Sequence, residues 1–286
     1  MLGAIIGDMV GSIYEFHHCK TKYFHIYNER MRMTDDSYLT IAVAKTLLKH
    51  YPIKYDEESL NKIKKDLVNE FLVTFKNHPQ AGFGGMFYMW CVQGLRGNKP
   101  EPYNSFGNGS AMRISPVGWI ANTEEEVKLL SKAVTEITHN HPEGIKGAEA
   151  IAMAIFLARN GASKEEIGQR MVNDYYPEIS SLDFDELVKH YEFSEICQKS
   201  VPQAIYCFLI SENMEDAIRN CVAIGGDCDT TGAMCGAIAE AYYQKDELSE
   251  FEDKFLYFMI DPKVEQLIKE LHKTIGSEKF TKTTKN

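Results

Sequence analysis

The side chains best suited to chemistry fall in two short acidic motifs that are far apart in the sequence. One motif, GGDCDTT at 225–231, places Asp227 and Asp229 one residue apart, with Thr230 directly after them. The other motif, TDDS at 34–37, holds two adjacent aspartates between two hydroxyl side chains. Small and apolar residues follow each motif, so each is predicted to lie at the N-terminus of a buried helix.

Either motif alone has a structural explanation, because Ser, Thr and Asp are preferred N-cap residues and acids in a first turn favour the helix dipole. Together they supply more carboxylates than two caps require. Carboxylate and hydroxyl oxygens suit magnesium, manganese or calcium rather than zinc. A cation near a helix N-terminus must also overcome the positive end of the dipole, which requires several carboxylates. Four aspartates would suffice for two divalent cations at one site.

A glycine repeat marks the first predicted helix, which reads GAIIGDMVGS at 3–12. Gly3, Gly7 and Gly11 recur every four residues, so they form a stripe of small residues that permits close contact with another helix. The spacing is not G-x-G-x-x-G, and no strand or acidic partner supports a dinucleotide-binding fold. Glu15 follows the point where this helix is expected to end. It is either an ordinary surface glutamate or a further acid beside the two motifs.

The composition narrows the class of protein. The chain of 286 residues has a net charge of −10, which disfavours nucleic acid and anionic membranes as partners. Its start lacks the basic residues and apolar run of a signal peptide, and no run of about 18 apolar residues predicts a membrane span. Seven cysteines without a C-x-x-C pair indicate reduced thiols. A cytoplasmic protein is expected, and nothing in the sequence demands more than a monomer.

Helical patterns dominate the chain. Thr123–Glu126 and Ser163–Glu166 read as capping boxes, and apolar residues recur at helical spacing over 57–76. Leu39–Leu48 and Gly147–Ala158 are apolar on nearly all sides, which predicts central buried helices. Period-2 alternation bounded by turn residues is rare. The sequence therefore predicts an all-α fold, with one domain at 1–276 and a polar tail at 277–286.

A pair of histidines, in THNHP at 138–142, suggests a metal-binding pair or a fragment of an HNH-type nuclease. The acidic chain argues against a nuclease, and zinc would require further His or Cys ligands at suitable spacing. Pro142 suits the first turn of a helix, so His139 and His141 are both expected near a helix N-terminus. The Gly-, Pro- and Asn-rich segment at 94–109 predicts a loop.

Five motifs, in their order along the chain, resemble those of the ADP-ribosylglycohydrolases: GDMVGSIYE, TDDS, GNGSAMRISPVG, THNHPEG and GGDCDTTG. The resemblance runs from about residue 3 to about residue 243. It implies a compact multi-helix bundle that holds two Mg²⁺ ions, or Mn²⁺ in their place. The metal-binding residues that it implies are Thr34, Asp35, Asp36, Asp227, Asp229 and Thr230. Ser37 and Cys228 stand where the family commonly has Thr, and neither change removes an implied ligand.

The activity implied by the resemblance is hydrolysis of the glycosidic bond between ADP-ribose and an acceptor. The acceptor is a modified protein side chain or a small molecule, and ADP-ribose is the product. The glycine-rich turn would present backbone N–H groups to the diphosphate. The implied substrate-binding residues are Phe106, which would stack on adenine, Asn108, Gly109, Ser110 and His139. Glu15 is the expected acid or base, with Asp36 and Asp229 as the alternatives.

Two other functions stay open on this evidence. The chain could be a non-catalytic ADP-ribose-binding or structural member of the same scaffold, or a hydrolase of a free ADP-ribosylated metabolite. The presence of all six implied metal ligands and of Glu15 favours an enzyme. The walls that choose the acceptor are expected from residues 80–90 and from the charged, aromatic segment at 174–200.

Overall fold

The chain folds into fourteen α-helices in the computed structural model, which describes residues 1–243 and 248–277. No strand occurs in these ranges, where β-pairing is confined to one isolated bridge between Gly107 and Ile196. The all-α prediction is confirmed. The helices are α1 Leu2–Gly11, α2 Asp35–Lys49, α3 Glu57–Asn77, α4 Gly85–Leu95, α5 Ser115–Ile120, α6 Glu124–Thr135, α7 Pro142–Arg159, α8 Lys164–Asp174, α9 Phe184–His190, α10 Cys197–Leu209, α11 Met214–Ile224, α12 Cys228–Tyr243, α13 Glu250–Phe258 and α14 Pro262–Thr274.

One hydrophobic cluster extends from Met1 to Leu271 and includes much of α2 and α7, the helices predicted to be central. None of the described helices is long and apolar enough to cross a membrane. The single domain at 1–276 stays a prediction, and the polar tail predicted at 277–286 lies outside the described residues except for Ser277.

The predicted capping boxes are correct in one case and half correct in the other. At α8, the Ser163 hydroxyl accepts from the Glu166 N–H, and the Glu166 carboxylate accepts from the Ser163 N–H at 2.7 Å. At α6, Thr123 accepts from the Glu126 N–H, but the Glu126 carboxylate accepts from the Asn122 N–H at 2.7 Å. The Glu126 carboxylate at α6 therefore accepts from the residue before the N-cap, and not from the N–H of the N-cap Thr123 as a capping box requires.

The glycine stripe of α1 packs directly on the backbone of α12. All ten residues of α1 are buried. A Cβ atom on Gly7 would lie 1.9 Å from the carbonyl oxygen of Gly232, and one on Gly3 would lie 2.1 Å from that of Gly236. Gly11 meets the start of α12 in the same way, 2.2 Å from the Cys228 carbonyl oxygen. The prediction of close helix contact is confirmed, because no side chain fits between these two backbones.

This contact makes Gly7→Ala strongly destabilising. We expect a loss of about 3 kcal/mol in the free energy of unfolding, the upper end of the usual cost of overpacking, because backbone atoms must move. Urea denaturation measures the change. The matched control is Gly85→Ala, where an added Cβ atom meets nothing within 4 Å and the expected change is below about 0.5 kcal/mol. An unchanged midpoint for Gly7→Ala would contradict the backbone contact.

A sharp corner joins α11 to α12 and places the second acidic motif. Gly225 and Gly226 both have positive φ angles, 76° and 74°, which favour glycine. Gly225 has ψ −152°, so it does not adopt the left-handed helical conformation that is common at the residue after a helix. Lys20 donates to the Ile224 carbonyl oxygen at 2.6 Å, and the Gly226 N–H donates to His18 Nδ1 at 2.9 Å. The corner is therefore fixed from outside as well as by its own glycines.

Candidate active site

Asp8 organises the N-terminus of α2. Its buried carboxylate accepts hydrogen bonds from the Thr34 N–H at 2.9 Å, the Thr34 hydroxyl at 2.7 Å and the Ser37 N–H at 3.1 Å, and a further one from the Ser37 hydroxyl. Asp8, from α1, therefore accepts from two backbone N–H groups at the start of α2, while the Asp35 N–H donates to the Ala81 carbonyl oxygen and the Asp36 N–H donates to the Thr34 hydroxyl. Capping does not account for the carboxylates of Asp35 and Asp36, which answers the question raised by the TDDS motif.

The carboxylates converge in two overlapping groups. Oxygens of Asp8, Asp36 and Asp229 lie within 4.8 Å of one another, as do oxygens of Glu15, Asp227 and Asp229. Asp229 belongs to both groups. These acids come from the end of α1, the start of α2 and the start of α12, so the backbone contact between α1 and α12 brings them together.

Burial and mutual repulsion disturb the ionisation of these acids. Burial and then the neighbouring Asp229 raise the pKa values of Asp35 and Asp36 well above the usual range, and burial and then Asp227 do the same for the pKa of Asp229. Burial raises the pKa of Glu15 to about 8, with Asp229 as the second cause. Among the described residues, no lysine, arginine or histidine forms an ion pair with any acid of the two carboxylate groups.

The donor set fits a hard divalent cation. The available atoms are carboxylate and hydroxyl oxygens, and Oδ1 of Asp36 is buried without a hydrogen-bond partner in the described part of the chain. A nearby cation would favour the ionised carboxylates and lower the raised pKa values. The structure brings together the residues that the sequence indicated as metal ligands: Thr34, Asp35, Asp36, Asp227, Asp229 and Thr230.

A cavity of about 370 Å³ opens beside these acids. Glu15, Asp36 and Asp229 lie in its wall together with the glycine-rich turn and His139. Both segments that were expected to form further walls reach this cavity, the first through Gly82 and residues 84–87 and the second through Glu195 and Ile196. A larger, more open groove of about 810 Å³ lies between the loop at 21–25 and the helices α9 and α11, and the described residues that line it include no comparable group of carboxylates.

The glycine-rich turn is held in place by the segment before α10. The Asn108 N–H donates to the Glu195 carbonyl oxygen at 2.8 Å, and the Cys197 N–H donates to the Phe106 carbonyl oxygen at 3.0 Å. The Asn108 side chain donates to Asp227 Oδ2 at 2.7 Å, which links the turn to the acids. Asn108 therefore positions a carboxylate in addition to lining the cavity.

The predicted substrate-binding residues divide into two groups. Phe106, Asn108, Gly109 and His139 line the cavity, and Phe106 is 42% exposed with its ring 5.2 Å from that of His141. The Ser110 hydroxyl instead is buried and donates to the Gly144 carbonyl oxygen at 2.8 Å, so it contacts α7 and not the cavity.

Two charged residues of the site were missing from the sequence prediction. Asp8 is the only acid in the otherwise apolar α1. Arg113 is fully buried in the cavity wall, with Cζ 4.7 Å from the centroid of the Phe71 ring, and burial lowers its pKa to about 10. Both residues interrupt apolar segments of the sequence. A charged residue inside such a segment is rarely buried without a partner, and this signal could have indicated both as site residues.

Comparisons with known proteins show which family the chain resembles. The sequence model of the ADP-ribosylglycohydrolase family matches residues 1–279. The chain is 24% identical to ADP-ribosylhydrolase ARH3 of Mus musculus, over 87% of this chain and 84% of that protein. It is 25% identical to ADP-ribosyl-(dinitrogen reductase) glycohydrolase of Rhodospirillum rubrum, over 86% and 85%.

The fold has a solved counterpart. A structure described as an ADP-ribosylglycohydrolase-related protein complex superimposes with a TM-score of 0.66 at 20% identity, over 96% of this chain and 97% of the other. At that identity the likeness concerns the fold alone. The match of the family model over nearly the whole chain shows that this protein belongs to the ADP-ribosylglycohydrolase family.

Proposed function

We propose that the protein hydrolyses the glycosidic bond between ADP-ribose and an acceptor, with divalent cations held by the clustered carboxylates. The observation that carries this proposal is the shared position of Asp229 in two carboxylate groups at one side of a cavity. The glycine-rich turn and His139 form another side of the same cavity. Membership of the family supports an ADP-ribosyl glycohydrolase, and the relatives named above support an ADP-ribosylated substrate.

The residues proposed to hold two Mg²⁺ or Mn²⁺ ions are Thr34, Asp35, Asp36, Asp227, Asp229 and Thr230. Asp8 is better suited to holding the start of α2 in place than to binding a metal ion, since its two oxygens already accept hydrogen bonds from Thr34 and Ser37. When bound, the ions supply Lewis-acid polarisation and a fixed orientation for the substrate hydroxyls. Asn108 keeps Asp227 in place through its side-chain amide.

Glu15 is the proposed general acid or base. It is half-buried just beyond the end of α1, and its carboxyl lies beside Asp229 in the cavity wall. A carboxyl with a raised pKa can hold a proton near neutral pH and give it to a leaving group. The neighbouring carboxylates would stabilise positive charge that develops on the sugar during bond cleavage.

The glycine-rich turn is the proposed diphosphate site. Gly109 lies in the first turn of a short 3-10 helix, Asn108–Ser110, where backbone N–H groups lack intrahelical partners. Such groups can bind an anion without a basic side chain, which suits a chain with a net charge of −10. Phe106 is the proposed contact for adenine, since its exposed ring lies in the cavity wall.

Gly109→Ala is expected to weaken ADP-ribose binding about tenfold or more while the protein stays folded. The new methyl group would lie 3.3 Å from Nε2 of His139, so it would occupy the side of the ring that faces the turn. Isothermal titration calorimetry with ADP-ribose measures the change. Gly168→Ala is the matched control, because its methyl group would lie equally close, 3.3 Å, to Leu209 outside the cavity. Unchanged affinity for Gly109→Ala would contradict the assignment of the turn.

The function is tested with peptides ADP-ribosylated on arginine or on serine and with a free ADP-ribosylated metabolite, each with and without Mg²⁺. We expect metal-dependent release of ADP-ribose from at least one peptide. Binding of ADP-ribose without any release would instead indicate the non-catalytic alternative. Release from the metabolite alone would indicate the hydrolase of a free ADP-ribosylated metabolite. A protein that shows no binding and no release would contradict the proposal.

A further inference from the structure

A chain of hydrogen bonds connects a buried arginine to the histidine of the cavity wall. Nη2 of Arg113 donates to the Thr138 hydroxyl at 2.6 Å, and that hydroxyl lies 2.8 Å from Nδ1 of His139. Arg113 and Thr138 are fully buried, and His139 is 5% exposed. Tyr103 packs the edge of its ring against His139, with 5.4 Å between the centroids, so the imidazole has little freedom to turn.

The chemistry of the donors fixes the direction of these bonds. A guanidinium can only donate, so the Thr138 oxygen accepts from Arg113 and has a single proton of its own to give. With the geometry of a hydrogen bond, that proton can go to His139 Nδ1 at 2.8 Å or to the Thr135 carbonyl oxygen at 3.3 Å; the neighbouring Tyr103 hydroxyl makes no hydrogen bond within the described residues. The Thr135 oxygen already accepts from the backbone N–H groups of Thr138 at 3.2 Å and His139 at 2.9 Å. The bond to Nδ1 is the better one, because it is shorter and because no other donor reaches this nitrogen from the described part of the chain.

Donation to Nδ1 determines which ring nitrogen carries the proton. A neutral imidazole has one N–H and one bare nitrogen, so an Nδ1 that accepts requires a proton on Nε2. Nε2 faces the glycine-rich turn, at 3.3 Å from the position of a Cβ atom on Gly109 and 3.6 Å from one on Gly107. Burial, and then the positive charge of Arg113, lower the pKa of His139 well below its ordinary value, in agreement with a neutral ring.

We propose that Arg113 and Thr138 are positioning residues that hold His139 as the neutral Nε2–H tautomer, with that N–H directed into the cavity as a hydrogen-bond donor to the ligand. The ligand atom would be an acceptor oxygen of ADP-ribose, and this part alone rests on the proposed function. The assignment gives the buried Arg113 a role. Its charge, held against the rings of Phe71 and Phe87, opposes protonation of His139 and polarises the Thr138 hydroxyl.

The tautomer is measured directly by long-range ¹H–¹⁵N correlation spectra of the full chain labelled with ¹⁵N-histidine. The chain contains nine histidines, so the signals of His139 are assigned by their loss in His139→Gln. In the ligand-free wild-type protein at pH 7 we expect an unprotonated Nδ1 and a protonated Nε2. A protonated Nδ1, or a doubly protonated ring, would overturn the proposal whether or not ADP-ribose binds.

Three substitutions separate positioning from general packing. Thr138→Val removes the hydroxyl at constant volume, and we expect mixed tautomers and about tenfold weaker ADP-ribose binding. Thr138→Ser should restore both properties. Thr135→Val is the matched control, since the Thr135 hydroxyl is equally buried and has no hydrogen-bond partner within the described residues. It should change neither property.

The outcomes distinguish this proposal from the proposed function. A wild-type tautomer and affinity in Thr138→Val, or a Thr138→Ser protein that behaves like Thr138→Val, would overturn the positioning role. If Thr138→Val does not fold, the wild-type and Thr138→Ser spectra still decide the question. A wild-type protein with the expected tautomer and no affinity for ADP-ribose would instead overturn the assignment of the ligand.

Discussion

Replacing Glu15 with Gln is expected to lower the turnover of an ADP-ribosylated substrate by about 10²–10⁴-fold, the usual contribution of a general acid or base. Gln keeps the size of the side chain and cannot exchange a proton at neutral pH. Affinity for ADP-ribose should change less than about threefold, because Glu15 lies with Asp227 and Asp229, and the proposed nucleotide contacts come from the turn at 106–110 and from His139. Single-turnover release of ADP-ribose and calorimetry measure the two quantities separately.

The control for this experiment is Glu192→Gln, the same substitution at an exposed glutamate outside the cavity wall. Its turnover should equal that of the wild type. If Glu15→Gln hydrolyses the substrate at a near-normal rate, the assignment of Glu15 is wrong and Asp36 or Asp229 becomes the candidate acid or base.

Asp229→Asn should remove the response of the protein to divalent cations. Asp229 is the one acid present in both carboxylate groups, so its loss weakens both proposed ion positions at once. We expect Mg²⁺ and Mn²⁺ to raise the Tm of the wild-type protein and to leave the Tm of the variant nearly unchanged. Hydrolysis should fall by at least about 100-fold, because even residues that only support metal ligands contribute up to that factor.

The variant also has a signature that general damage to the fold does not produce. Near neutral pH, a buried carboxylate with a raised pKa is destabilising when it ionises among other acids, and a neutral amide at the same position removes that repulsion. Metal-free Asp229→Asn should therefore melt no lower than the metal-free wild type. Asp185→Asn, at an exposed acid of α9, is the control and should keep the full metal response. A normal metal response in Asp229→Asn would contradict the proposed metal site.

Local patterns were sufficient to predict the all-α class, several of the helices and the place of the two acidic motifs at helix N-termini. Helical spacing predicted a helix over 57–76 and central helices at Leu39–Leu48 and Gly147–Ala158, and the structure has α3, α2 and α7 there. The glycine repeat of α1 predicted a close helix contact, and it lies against α12. These features depend on residues near one another in the chain, so a single sequence contains the necessary information.

The roles of Asp8, Arg113 and Ser110 depend on neighbours that are distant in the sequence. Asp8 accepts hydrogen bonds from the start of α2, more than twenty residues later, and only the packed structure shows that it assists the Thr34 cap of that helix. Arg113 contacts Thr138, and Ser110 turns its hydroxyl toward Gly144. A motif identifies such residues as part of a segment, but the direction of each side chain is set by what packs against it.

The contact of α1 with α12 also sets an order of events during synthesis of the chain. Gly3 donates its N–H to Glu240, 237 residues further on. At ribosomal rates of about 5–20 residues per second, that interval corresponds to on the order of 10–50 s. During this time α1 can meet α2 but not α12, against which its glycine stripe packs, and Asp8 and Glu15 cannot meet Asp229. The proposed metal site therefore cannot assemble until α12 has left the ribosome, and the glycine stripe of the first helix stays uncovered until then.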